Sequence, residues 1–77
     1  MNDEQNFDFK RCWLDLTLAE RESFATDAGT TSHYIQTHLT GRRRVPRKML
    51  LEKLFRACKA RGWTQQKSDL VLWFNER

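Results

Sequence analysis

The sequence predicts an all-α domain of four to five short helices, and three observations carry that reading. Apolar residues recur at helical spacing, most clearly at Leu50, Leu51, Leu54, Phe55 and Cys58. Residues that cap or stop helices stand at regular points: Thr17 with Glu20, then Gly29, Gly41 and Gly62. No segment requires a strand, although the Trp73-Phe74 pair is also compatible with one between subunits. At 77 residues the chain is expected to form a single domain. Its core is small, so self-association would help it.

Residues 1–5 are polar and expected to fray. Phe9, Cys12, Trp13 and Leu16 then follow i, i+3, i+4, i+7, which predicts a first helix from about Asn6 to Asp15. Trp13 reads as a core anchor. Thr17 and Glu20 form a capping box, so a second helix should run from about Leu18 to Asp27. Glu20 and Glu22 lie near the positive end of its dipole and would repel phosphate, so most of this helix should face away from a polyanion. Gly29 ends it in a tight turn, and Thr31 or Ser32 caps a third helix from about Ser32 to Thr40. Phe24, Ala25 and Ala28 face Ile35 and Leu39 across that turn. A small residue, a glycine turn and an aliphatic anchor are what a helix-turn-helix needs to hold its second helix outward.

The outward side of the third helix carries Ser32, His33, Gln36 and Thr37, with Thr31 at the cap and Thr40 at the end. A merely solvated face would carry lysine and glutamate. Uncharged hydrogen-bonding groups suit base edges in a major groove, where glutamine pairs with adenine and serine or threonine with several bases. Gln36 is the first candidate base reader, then His33 and Ser32; Thr31 and Thr37 are candidate phosphate contacts. Tyr34 either packs or bonds a phosphate, and His38 reads as an inner-face packing residue.

Gly41 closes the helix and Arg42-Arg43-Arg44-Val45-Pro46 forms a loop, with Pro46 in the first turn of a fourth helix to about Ala60. The charge is strongly divided. Residues 1–28 hold seven acids and three bases, a net of −4, whereas residues 41–61 hold nine bases against Glu52, a net of +8. Such a patch beside a helix-turn-helix is the footprint of a polyanion binder. Arg42, Arg43, Arg44, Arg47 and Lys48 are the candidate phosphate cluster. Lys53, Arg56 and Lys59 read as mostly solvated.

Thr64 is expected to cap a fifth helix from about Gln65 to Asn75 within the tail, residues 64–77. Val71, Trp73 and Phe74 lie on its broad apolar side with Leu70. Two placements are open: this side forms a homodimer contact, or it folds back to complete the monomer core.

Phe24-Ala25-x-x-Ala28-Gly29-Thr30-Thr31-x-x-x-Ile35, followed by Leu39-x-Gly41-x-Arg43-x-x-Pro46, resembles the Cro and phage-repressor type of helix-turn-helix, the lambda-repressor-like family. The likeness covers roughly residues 17–58. It departs at His38, where such proteins carry an apolar residue, and in a loop richer in arginine. The resemblance implies a compact lambda-repressor-like fold. It also implies a Cro-like transcription regulator that binds double-stranded DNA as a homodimer on a pseudo-palindrome. Arg43 is the loop residue it singles out, Arg21 a phosphate contact at the first helix end, and the bacterial or phage-infected cytoplasm its setting.

Other classes have less support. Cys12 and Cys58 sit in apolar helical patterns and read as buried free thiols; with His33 and His38 they lack zinc-site spacing, so neither metal nor cofactor is expected. No apolar run reaches the length of a membrane span. The acidic, polar start is wrong for a signal peptide. Neither a catalytic constellation nor a glycine-rich phosphate loop is evident, so an enzyme is not expected, and no small-molecule effector is evident. The alternatives are a protein-interaction module, such as an antitoxin or inhibitor, and an RNA binder using the arginine loop.

Overall fold

A computed structural model describes residues 7–42 and 44–75. They form α1 (Phe9–Leu14), α2 (Leu18–Asp27), α3 (Ser32–Tyr34) running on as a π-helical segment (Ile35–Gly41), α4 (Lys48–Ala60) and α5 (Lys67–Asn75). The α3 turn and the π segment make one continuous rod, helix 3. The architecture is all-α, and no described helix is long and apolar enough to cross a membrane.

Local chemistry sets most boundaries. Asp8 caps α1 by accepting from the Arg11 N–H at 3.2 Å, so α1 starts at Phe9; the Asn6 start read from the sequence lies outside the described residues. Thr17 and Glu20 make both halves of the capping box that opens α2. Pro46 does not open α4 as expected. Arg47 is its N-cap, so proline stands one residue outside the helix. Similarly, α5 begins at Lys67 rather than Gln65, because Thr64 is buried and its hydroxyl donates 2.6 Å to Asp69 Oδ2 in the first turn.

Phe9 is the centre of the core. Its ring is 5.9 Å from Phe24, 6.1 Å from Trp63, 5.5 Å from Trp73 and 6.0 Å from Phe74, and none of it reaches solvent. Phe24 stacks on Trp63 at 5.0 Å, and Trp13 meets Phe24 edge-on at 6.0 Å. Ala25, Ala28, Ile35, Leu39, Leu54, Ala57, Cys58 and Leu70 fill the remainder. Two cross-links pin the periphery: Arg61 to Asp27 at 3.0 Å, and Lys67 to Glu52 between α5 and α4. The second bond holds the Glu52 carboxyl below its usual range.

The tail folds back. Trp73 and Phe74 are 3% and 1% exposed, and the Trp73 indole donates to Asp8 Oδ1 at 3.0 Å. Of the two placements left open for these candidates, both take the fold-back one: the aromatic side of α5 encloses Phe9 within the monomer. Of the three candidates Val71 alone keeps some surface, beside the exposed Leu72.

Cys58 is fully buried, whereas Cys12 is only half-buried; both are free. Burial first, then the nearby Cys12, pushes the Cys58 thiol from its ordinary 9.0 up to about 12, against a smaller pull from Arg61. The folded chain therefore keeps a proton that the unfolded chain loses first. This contribution to stability is complete below pH 9.0 and is lost as pH rises toward about 12. Thermal melts should accordingly show Tm falling above pH 9.0. In the native state Cys58 should react with an aromatic disulfide reagent only as fast as the chain opens; prompt labelling at pH 8 would refute its burial.

Candidate nucleic-acid interface

The turn that presents helix 3 is a Schellman motif. Thr30 N–H donates to Ala25 O at 2.9 Å and Gly29 N–H to Thr26 O at 3.0 Å, with Gly29 at φ 74°. Thr31 follows as the N-cap of α3, its hydroxyl accepting from Tyr34 N–H at 3.1 Å. The same closure recurs after α4, where Trp63 N–H bonds Cys58 O and Gly62 has φ 76°. Alanine at either glycine meets the left-handed penalty, about 1–2 kcal/mol. A Cβ at Gly62 finds nothing within 4 Å, and one at Gly29 meets the flexible Lys53 side chain, with Nζ at 3.2 Å and Cδ at 3.3 Å. The two variants should thus lose similar stability in urea melts, but only Gly29→Ala should weaken duplex binding by the remaining folded protein. Equal losses of affinity would count against the Gly29 turn as the orienting element.

Helix 3 widens where the sequence suggested plain α-helix. Thr40 was expected at the end of the outward side; it is instead 3% exposed, and its hydroxyl donates to Gln36 O at 3.0 Å. That hydroxyl takes the carbonyl which an α-helix would give to the Thr40 N–H, so the ladder closes five residues back. Gly41 fits the wide turn because a Cβ there would lie 3.0 Å from Gln36 O. Ile35 and Leu39 are fully buried as expected. His38 is half-buried with its ring 4.9 Å from Tyr34, and its Nδ1 is buried without a partner.

Ser32, His33 and Gln36 do share one side of helix 3. They line a shallow open groove with Arg21, Trp13 and Glu22. His33 and Gln36 are exposed; Ser32 is half-buried and donates to Glu22 Oε2 at 2.7 Å. Gln36 Oε1 accepts from the Trp13 indole at 2.7 Å. Thr37 is half-buried at the edge and Thr31 is exposed. Two residues that the sequence reading set apart from this face therefore belong to it. Trp13 read as core alone, and Glu22 was expected to face away. Nothing local marks either, since their partners lie 23 and 10 residues along the chain.

Arg21 is half-buried at the edge of the groove. Its Nε and Nη2 each donate at 3.3 Å, to Trp13 O and Leu14 O, and its guanidinium lies 5.5 Å from the centre of the Trp13 ring. It thereby closes the negative end of α1 and retains donors for a further partner. Arg42, Arg44, Arg47 and Lys48 are all exposed; Arg43 lies outside the described residues. Among the described residues the ion pairs are Arg61–Asp27 and Lys67–Glu52, so none of these four cations is in an ion pair there, although Lys48 lies close enough to Glu52 to help hold its carboxyl ionised. Tyr34, half-buried, joins Arg44 and Arg47 around a second shallow depression. Concentrated exposed positive charge thus directly follows the hydrogen-bonding residues of helix 3.

No family model, curated protein or solved structure matches the chain.

Proposed function

We propose that the protein is a sequence-specific, double-stranded DNA-binding transcription regulator. It acts as a Cro-like repressor in the cytoplasm of a bacterial or phage-infected cell. As a homodimer it grips a pseudo-palindromic operator, with helix 3 in the major groove of each half-site, one helical turn apart. Ser32, His33 and Gln36 meet base edges, while Arg21, Thr31, Thr37 and the loop cations meet phosphates. Bound protein occludes polymerase, and no catalytic step is involved.

One observation carries this reading: hydrogen-bonding side chains on helix 3, with His33 and Gln36 exposed, are followed at once by four exposed cations that make no ion pair among the described residues. The protein-interaction alternative relied on an apolar tail, and burial of Trp73 and Phe74 removes most of that surface. Selection from a random duplex DNA pool, followed by salt titration of the enriched duplex, tests the proposal. An enriched inverted repeat supports dimeric readout. Binding that merely tracks ionic strength, with no enriched sequence, would discard it.

A further inference from the structure

Resting on the DNA-binding reading, we infer that Trp13 is a positioning residue that decides which groups Gln36 offers to a base pair. The indole nitrogen has a hydrogen to give and no lone pair to offer. Its 2.7 Å partner on Gln36 is therefore the amide oxygen. Turning the amide over would set N–H against N–H and lose the bond.

The indole itself is firmly held. Trp13 is fully buried, meets Phe24 edge-on at 6.0 Å and carries the Arg21 guanidinium at 5.5 Å. The backbone of Gln36 is anchored as well, because its carbonyl accepts from the Thr40 hydroxyl. Side chain and main chain are both fixed before any ligand arrives, which reduces the ordering that binding requires. Gln36 is nonetheless exposed, and with its oxygen held toward Trp13 the amide NH2 is the end left to offer a partner.

An amide fixed in this way discriminates by donor and acceptor. Guanine presents two acceptors, N7 and O6, on its major-groove edge, whereas cytosine presents the N4 amino donor. The pinned NH2 bonds the first and abuts the second. Gln36 thus reads acceptor-bearing edges, guanine foremost, rather than adenine through the paired oxygen and nitrogen that a free glutamine offers.

Binding-site selection on the full chain, repeated with Trp13→Phe, tests this. Phenylalanine keeps an aromatic ring in the core and removes only the N–H donor and the second ring. The wild-type pool should be enriched in guanine at one position per half-site. That preference should fall roughly tenfold in the variant, with the salt slope unchanged. In a Gln36→Ala background, adding Trp13→Phe should alter no base preference. Gln36→Glu leaves the core intact should Trp13→Phe fail to fold. Its carboxylate still accepts from Trp13 but offers no donor, so cytosine should replace guanine. A wild-type site that Trp13→Phe selects unchanged, or that keeps guanine in Gln36→Glu, overturns the positioning role while leaving DNA readout standing. A wild-type chain that enriches no site overturns both.

Discussion

Phe9→Ala is expected to leave the chain without a fixed core at room temperature. Phe9 is wholly buried and lies within ring-contact distance of aromatics from α2, the α4–α5 turn and α5. Truncating a buried phenylalanine costs about 3–5 kcal/mol, because it removes apolar burial and leaves a cavity that neighbours fill only partly. Small domains commonly hold only about 5 kcal/mol in total. Collapse around the cavity is difficult here, since its walls are rings on separate elements, each tied elsewhere: Trp73 to Asp8, and Trp63 by stacking on Phe24. Near-UV circular dichroism and a urea titration measure the effect. Loss of the tryptophan bands with partial retention of helix is the expected result. Leu72→Ala, at a position 59% exposed on α5, provides the control and should change stability by less than about 0.5 kcal/mol. A Phe9→Ala midpoint close to wild type would contradict the hub described for this ring.

Replacing Arg42, Arg44, Arg47 and Lys48 together by alanine should flatten the salt dependence of duplex binding by about three to four units. Each phosphate neutralised releases about 0.9 of a counterion from B-form DNA. These four cations are exposed and without internal ion pairs among the described residues, so each is available to a phosphate. Affinity at low salt should fall by about two orders of magnitude or more, equally for all duplexes, because phosphate contacts carry no base information. The preferred site from the selection should be unchanged. Arg56→Ala with Lys59→Ala, on exposed positions further along α4, should flatten the slope by less than about one unit. An unaltered slope in the fourfold variant would place the phosphate contacts elsewhere.

What the sequence revealed was chiefly what one or two turns of chain decide. The capping box at Thr17 and Glu20 and the glycine closures at Gly29 and Gly62 involve partners only a few residues apart. The burial of Phe24, Ala25, Ile35 and Leu39 follows from helical phase. The candidate site divides in the same way. Exposure of His33, Gln36 and the loop cations was readable from periodicity and charge. The bonds that fix Gln36 and Ser32 join separate elements and were not. The tail was undecidable for a related reason: an apolar stripe on α5 looks the same whether it covers its own core or another molecule's. The Asp8–Trp73 bond, spanning 65 residues, belongs to the first case. Thr40 misled the reading because its hydroxyl competes with the backbone for one carbonyl, a choice invisible to side-chain periodicity.

The wide segment Ile35–Gly41 gives the chain slack in its length. A helix that closes over five residues can lose one and tighten to closure over four, whereas an α-helix that loses one must rotate everything beyond the gap. His38 is the natural residue to omit, since its buried Nδ1 has no partner. Without it Leu39 and Thr40 would follow Ile35 by three and four positions, the spacing of one α-helical face. The groove residues Ser32, His33 and Gln36 all precede that point. A chain one residue shorter would therefore keep its recognition face and the burial of Leu39, with the wide turn closed up.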